Sequence, residues 1–282
     1  MIEIILVLYK RLPQQSQSYV SIRKYIHCLH VPYSIIIYNN TPDIEITSSH
    51  PDEIIINATG NDMLAGAYNK SLELAKKSKC DWILLLDQDT ELNETYFREV
   101  NAFLTSEDAN HYAIAAPVLC KDDIHLSPVA FNPAIGPFWA GRNFNITHSN
   151  FKNIPKGMAP SAFNSAVLLK VEAIESIGGF DNDFPLDMLD HRYFYQLYKA
   201  GLNMYVLDVT MTQNLSLLDN KDQMPVSRYR EYLKACRLFS KKIGWRTLVS
   251  QKLRLCLHIG SQIIRPNKRK YLKSSLKELI LI

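Results

Sequence analysis

The first 90 residues alternate between short apolar runs and longer amphipathic stretches. Apolar residues recur at helical spacing over about 18–29 and 61–79, which predicts two helices. Continuous apolar runs predict strands buried on both faces, at residues 2–9, 31–40, 53–57 and 82–87. This alternation predicts a mostly parallel sheet with helices on both sides. Ligands of such sheets bind beyond the carboxyl ends of the strands.

The remainder of the chain continues this pattern and then changes character. Further elements are predicted as a strand at 112–119, a strand and a helix within 163–181, a helix at 187–201 and a strand at 202–208. Between them, residues 121–160 are rich in Pro, Gly, Asn and aromatics, which predicts long loops with short strands. We therefore expect a Rossmann-like α/β domain over 1–220 and a basic helical extension over 221–282.

Charge is distributed unevenly along the chain. The net charge is +4, but residues 226–282 hold 15 Lys and Arg against 2 Asp and Glu, a balance of +13. Residues 1–225 hold 17 basic and 26 acidic residues, a balance of −9. This split favours an anionic membrane surface as the partner of the tail, with nucleic acid and a solvated helical face as alternatives. The tail has few aromatic residues and no nucleic-acid-binding motif, so we expect no nucleic-acid partner.

The composition indicates a globular protein in a reducing compartment. Hydrophobic residues make up 47% of the chain and charged residues 21%, which argues against disorder. The five cysteines form no CxxC pair, so neither a zinc site nor a disulfide framework is expected. No signal peptide is recognisable, and no run approaches the roughly 20 apolar residues of a membrane span. We expect a cytoplasmic location, peripheral to the inner face of the cytoplasmic membrane.

Two carboxylates follow the strand that ends in Ile83–Leu86, within WILLLDQDTEL. Asp87 and Asp89 are two residues apart, so both should project to the same side of the extended chain. Paired carboxylates are hard oxygen ligands that suit Mg²⁺ or Mn²⁺, especially when a substrate diphosphate completes the coordination. The alternative is a turn in which these residues cap the next helix.

Several segments, in order, resemble the family-2 glycosyltransferases, which have the GT-A fold. The similar segments cover about residues 1–218 and read SIIIYNNTPD, NDMLAGAYNKSL, WILLLDQDTEL, FNSAVLLKVEAIESIGGFDNDF and LDMLDHRYFYQLYKAG. The branch that the chain most resembles contains rhamnosyltransferase-like enzymes of bacterial surface polysaccharide synthesis.

The resemblance implies a donor site at the ends of the first strands. Asp89 would bind the metal directly, and Asp87 would contact the ribose or the metal through water. The other residues expected to line the nucleotide pocket are Leu8, Tyr9, Asn39 and Asn61. Gln213 stands where the family often has a metal-binding His, and we expect its amide oxygen to be the third metal ligand, with His191 or a water as the alternative.

The resemblance also implies a catalytic carboxylate. Asp190 falls where the family keeps its general base, and Asp187 matches another family aspartate. Their i, i+3 spacing would place both on one face of a helical turn. The alternative is that both stabilise a helix N-terminus.

Three further positions depart from the family pattern. Asn39 replaces an Asp at the end of the second strand. Met63 replaces the Gly of an Asn-x-Gly turn, where glycine has the greatest backbone freedom. Arg192 stands where the family often has Glu.

The function implied is an inverting sugar transfer from a nucleotide-diphosphate sugar, with dTDP-rhamnose as the first donor to consider. The acceptor would be a glycan or a lipid-linked oligosaccharide of surface polysaccharide synthesis, and the cofactor Mn²⁺ or Mg²⁺. The alternatives are a sugar nucleotidyltransferase and a catalytically impaired nucleotide-sugar-binding protein. A sugar nucleotidyltransferase usually carries an early Gly-rich loop, which this sequence lacks.

Overall fold

The computed structural model describes residues 1–212 and 224–282, so Gln213 lies outside the described residues. The chain divides into two compact units. The first unit comprises Met1–Val129, Asn145–Ile154 and Pro160–Asn214, and the second comprises Ala130–Phe144, Pro155–Ala159 and Leu215–Ile282. The second unit therefore takes in parts of the loop-rich stretch, a grouping that the sequence pattern did not indicate.

Over the first 90 residues, helices and strands follow one another in the order that the apolar pattern predicts. The strands are β1 (Ile2–Leu8), β2 (Tyr33–Asn39), β3 (Glu53–Asn57), β4 (Trp82–Leu86), β5 (Ile114–Lys121), β6 (Ile124–Ser127), β7 (Val129–Phe131), β8 (Phe144–Asn145), β9 (Ala159–Ser161), β10 (Val167–Lys170) and β11 (Met204–Thr212). The helices are α1 (Gln17–Tyr25), α2 (Met63–Lys77), α3 (Glu94–Thr105), α4 (Asp108–His111), α5 (Val171–Ser176), α6 (Leu189–Lys199), α7 (Val226–Ile243), α8 (Trp245–Ile264) and α9 (Leu272–Leu281). The helices α7 to α9 confirm the predicted helical C-terminal part.

The main sheet has eight strands in the order β11-β5-β10-β4-β1-β2-β3, with β6 paired to β5. The pairs β1–β2, β1–β4, β2–β3 and β5–β11 are parallel. Strand β10 runs antiparallel between β4 and β5, and β6 is antiparallel to β5. The result is the expected α/β architecture, with one reversed strand in the middle of the sheet. The short strands β8, β7 and β9 form a separate sheet in that order.

Strand β1 lies between β2 and β4 and is buried along its whole length. Side chains on one of its faces, such as Ile4 and Leu6, join a core cluster that includes residues of α1 and α3. Helix α2 packs against β1 as well. Both faces of this strand are covered, so its residues are apolar except for Glu3, whose Oε1 accepts hydrogen bonds from Ser34 Oγ and Ser78 Oγ.

We expect Leu84→Ala to destabilise the first unit strongly. Leu84 is fully buried at the centre of β4, where truncation removes apolar contacts and leaves a cavity. Such substitutions cost about 2–5 kcal/mol of unfolding free energy, which urea denaturation monitored by circular dichroism would measure.

Ile54→Ala is the matched control, because Ile54 is 40% exposed on the edge strand β3. An equal loss of stability in both variants would show that β4 is not central to the core.

Candidate active site

The parallel pairing brings the ends of three strands to one edge of the sheet. Leu8, the last residue of β1, pairs with Asn39, the last residue of β2. Leu6 pairs with Leu86, the last residue of β4. The polypeptide leaves each strand at this edge, so Asp87 emerges close to the ends of β1 and β2.

Serine residues at the start of α1 hold the loop that follows β4. Ser18 Oγ shares its single hydrogen between the carbonyl oxygens of Asp87 and Thr90, the latter at 2.9 Å. Ser16 Oγ donates to the carbonyl of Gln88 at 2.8 Å. The Gln88 side chain in turn accepts a hydrogen bond from Tyr9 N at 3.0 Å. These bonds fix the backbone from which Asp87 and Asp89 project.

The reversed strand β10 supplies a direct partner for Asp87. Ser165, two residues before β10, donates a hydrogen bond from Oγ to Asp87 Oδ2 at 2.7 Å. Ala166 N bonds to the carbonyl of Leu85 at 3.0 Å, which keeps the two segments together. Nothing in the sequence around Ser165 distinguished it from other serines.

The pKa of Asp87 is raised to about 6, from an ordinary value of 3.8. Burial is the main cause, and the negative charges of Asp89 and Asp190 add to it, while the hydrogen bond from Ser165 opposes it. Part of the Asp87 side chain keeps contact with solvent, so the energetic consequence is smaller than full burial would give. The edge therefore concentrates negative charge from two distant segments.

Asp190 reaches this edge from the first turn of α6. Its Oδ1 accepts a hydrogen bond from His191 N at 2.8 Å, which restricts the rotamer of the carboxylate. Asp187 is half-buried and precedes the helix, because Met188 adopts a left-handed conformation with φ of 63° before Leu189 begins the helix. The expectation that Asp187 and Asp190 share a helical turn is therefore wrong.

Two buried tyrosines lie near these carboxylates. Tyr193 donates a hydrogen bond to Asn164 Oδ1 at 2.8 Å, and the hydroxyl of buried Tyr68 has no hydrogen-bond partner among the described residues. Burial is the main cause that raises the pKa of both phenols, and the charges of Asp87 and Asp190 raise them further. Both hydroxyls are therefore neutral neighbours of the acidic edge.

Left-handed backbone conformations accumulate at the loops around this edge. Lys10, Met63, Ala166 and Met188 have φ between 55° and 66° without being glycine. Such conformations cost about 1 kcal/mol or more for residues that carry a Cβ. Met63, at the position where the sequence resemblance predicts a glycine, thus has the conformation that glycine favours.

The residues expected to line a nucleotide pocket differ in their surroundings. Leu8 is buried within β1, whereas Tyr9 is 42% exposed beyond its end. Asn61 is exposed, and its Oδ1 accepts a hydrogen bond from Met63 N at 2.9 Å.

Asn39 is fully buried and its side chain is engaged within the protein. Its Nδ2 donates to the carbonyl of Ile44 and, at 2.8 Å, to Asn57 Oδ1. Its Oδ1 accepts from Thr41 N at 3.0 Å. Both amide donors are therefore taken, and Asn39 shapes the loop beside the site.

Arg192, at the position where the sequence resemblance predicts a glutamate, forms an ion pair with Asp181. Its Nε donates to Asp181 Oδ2 at 3.0 Å, and both side chains are largely buried. The neighbouring His191 shares a hydrogen bond of 2.7 Å between its Nδ1 and Ser161 Oγ.

A preformed metal cage is absent from residues 1–212 and 224–282, where no group of three or more His, Cys, Asp or Glu side chains has suitable spacing. Asp87 and Asp89 nevertheless fit a cation, because their mutual repulsion contributes to the raised pKa of Asp87 and a positive charge would relieve it. A metal held by these two carboxylates would need a bound diphosphate or water to complete its coordination.

No protein-family model and no curated protein matches this sequence. Among solved structures, TarS residues 1–349 from S. aureus is similar with a TM-score of 0.50 and 13% identity, over 98% of this chain and 91% of that chain. The same protein in complex with UDP gives a TM-score of 0.51 at 12% identity over the same shares. The mannosyltransferase PcManGT from Pyrobaculum calidifontis, in complex with GDP-Man and Mn²⁺, has a TM-score of 0.49 at 13% identity, over 99% of this chain and 84% of that chain. At these identities the TarS matches show a shared fold, which agrees with the expected GT-A architecture.

We expect Asp87→Asn to stabilise the metal-free protein above pH 6. The folded protein holds the Asp87 proton more tightly than the unfolded chain, so the wild type loses stability as pH rises from about 4 to about 6 and stays lower above that. The variant avoids this loss, and its advantage at pH 7.5 should be about 1–3 kcal/mol. Urea unfolding at pH 4 and pH 7.5 measures it.

Glu91→Gln is the control, because Glu91 is an exposed carboxylate in the same loop. An advantage of Asp87→Asn that is equal at both pH values would contradict the raised pKa.

Proposed function

We propose that this chain is an inverting glycosyltransferase that uses a nucleotide-diphosphate sugar. The observation that carries the proposal is the meeting of Asp87 and Asp89, at the end of β4, with the charge of Asp190 at the start of α6. In parallel α/β sheets this edge is the ligand-binding edge. The GT-A fold and the UDP bound by the similar TarS structure support a nucleoside diphosphate as the donor's leaving group.

Some of the site residues are proposed to bind the donor, and others to act on the acceptor. Asp89 and Asp87 would hold Mn²⁺ or Mg²⁺ together with the diphosphate, and Gln213 is proposed as a further ligand. When bound, the metal offsets the negative charge that grows on the leaving diphosphate. Tyr9, just beyond β1, and Asn61, just before α2, are exposed and would contact the nucleotide. Leu8 and Asn39 are buried at the ends of β1 and β2 and would hold the surrounding backbone in place.

Asp190 is the proposed general base. The acceptor hydroxyl attacks the anomeric carbon and forms the new glycosidic bond, while the bond to the diphosphate oxygen breaks. The proton of the hydroxyl passes to Asp190 Oδ2, since Oδ1 is already oriented by His191 N. We propose that Asp187, on the loop before α6, contacts the acceptor.

The donor and pathway proposals rest on the family resemblance. dTDP-rhamnose is the first donor to test, and the acceptor would be a glycan or lipid-linked oligosaccharide of bacterial surface polysaccharide. A sugar nucleotidyltransferase would instead form nucleotide sugar from a sugar phosphate, and an impaired protein would bind donor without transfer.

We expect Asp89→Ala to abolish metal-dependent donor binding. A ligand that binds the folded state at 100 times its Kd adds about 2.7 kcal/mol of stability, which a thermal-shift panel of nucleotides and nucleotide sugars, with and without Mn²⁺, detects. Glu91→Ala is the matched control in the same loop and should keep the wild-type shift. An unchanged metal-dependent shift in Asp89→Ala would refute the metal assignment.

We expect Asp190→Asn to bind donor normally but to lower turnover by about 10²–10⁴-fold, because an amide cannot accept the proton. Turnover is measured by release of the nucleoside diphosphate in the presence of acceptor. Asp208→Asn, at an exposed carboxylate on β11, should leave turnover unchanged. Full turnover in Asp190→Asn would exclude it as the base, and donor binding without turnover in the wild type would favour the impaired protein.

A further inference from the structure

Helix α8 buries polar side chains and exposes apolar ones. Its buried residues are Thr247, Ser250, Gln251, Leu255, Ile259 and Gln262, of which four are polar. Its exposed large apolar residues are Trp245, Val249, Leu253, Leu257, Ile263 and Ile264. A surface helix of a globular protein normally has the opposite arrangement.

The exposed apolar residues form one continuous stripe. Trp245, Val249, Leu253 and Leu257 follow one another at intervals of four, so they lie on neighbouring turns of the same face. The stripe spans an arc of about 120° and, over 20 residues, a length of about 30 Å. Trp245 is 71% exposed and Leu257 62%.

Hydrogen bonds within the second unit fix this orientation of α8. Trp139 Nε1 donates to Ser250 Oγ at 2.9 Å, and Ser250 Oγ donates to the carbonyl of Ile135 at 2.9 Å. Thr247 Oγ1 donates to the carbonyl of Pro133. The polar face is thus held against residues 133–139, and turning the helix to hide the stripe would break these bonds.

Helix α9 repeats the arrangement. It buries Ser275 and Glu278 and exposes Ile280, which is 85% accessible, together with Leu276 and Leu281. Glu278 accepts a hydrogen bond from Arg237 Nε of α7 at 2.6 Å, which anchors the polar face. Two successive helices therefore present apolar residues to the surroundings.

Cations border both stripes. The exposed basic residues of this region include Arg246, Lys252, Arg265, Arg269, Lys270, Lys273 and Lys277. A cavity of about 310 Å³ between α7 and α9 is lined by the basic residues Arg230, Lys234, Arg237, Lys273 and Lys277, with Glu278 and Leu281 beside them. Leu281 of the exposed apolar face of α9 thus lies beside a groove lined by cations.

We propose that α8 and α9 bind an anionic phospholipid surface, with the apolar stripes entering the acyl boundary and the cations meeting the headgroup phosphates. An exposed amphipathic helix bordered by Lys and Arg has the composition of an interfacial membrane helix. A second copy of the chain is a poorer occupant, because residues 226–282 carry +13 and would repel one another. No helix in the described ranges is long and apolar enough to cross a membrane.

The test is cosedimentation of the full chain with vesicles of phosphatidylcholine, with and without phosphatidylglycerol. We expect binding to the anionic vesicles, weaker binding at high salt, and a blue shift of Trp fluorescence that Trp245→Phe removes. The double variant Leu253→Ser/Leu257→Ser should bind at least about tenfold more weakly, because it loses buried apolar area. Lys273→Glu/Lys277→Glu should lose binding to anionic vesicles to a similar degree.

Ile124→Ser is the matched control, because Ile124 is 62% exposed on β6 of the first unit and belongs to neither helix. This variant should bind the vesicles as strongly as the wild type. The substituted side chains are exposed, so melting temperatures should stay near that of the wild type. Wild-type binding by the Leu253/Leu257 variant, or equal binding to neutral vesicles, would overturn the proposal. A concentration-dependent dimer that this variant abolishes would instead identify a second copy as the occupant.

Discussion

Parallel pairing of β1 with both β2 and β4 is the constraint on which the rest of the first unit depends. Because β1 and β2 end at paired residues and β4 ends two positions earlier, three chain segments emerge together at one edge. Helices cover both faces of the sheet, so side chains within these strands are buried. The side chains just beyond the strand ends are the first to meet solvent. Asp87 stands at that transition, which is why burial dominates its pKa.

The acidic edge opposes the stability of the unit that carries it. Asp87 is charged at neutral pH at a cost in folding free energy, and four non-glycine residues around it hold left-handed conformations. The serine hydrogen bonds to the loop after β4 and the apolar core beneath it offset these costs. A partly buried charge and several left-handed backbone conformations, both of which destabilise the fold, occur here together, and such a combination is typical of a functional site.

The elements with continuous or periodic apolar patterns were predictable from the sequence. Strands β1, β2, β3 and β4 and helix α2 have the predicted order, with ends shifted by one or two residues. Helix α3 was not predicted, although its apolar residues contribute to the main core.

The long-range features of the site could not be predicted. The reversal of β10 depends on which neighbours a strand finds, and an apolar run carries no direction. Ser165 reaches Asp87 only because β10 runs in this reversed direction. The left-handed conformation of Met188 places Asp187 outside α6, although its i, i+3 spacing to Asp190 suits a helix. The charge excess of 226–282 was visible in the sequence, but the exposure of its apolar stripe depends on which face of α8 forms hydrogen bonds.

The amide of Asn39 has a consequence for which residues this position can hold. Its two N–H groups point at oxygen atoms of Ile44 and Asn57, both of which only accept. An aspartate there would bring a third acceptor, with a full charge, into the same enclosed space. Residue 39 and the loop over 40–46 are therefore matched to each other, because a carboxylate at position 39 would repel the oxygen atoms that now fix this loop.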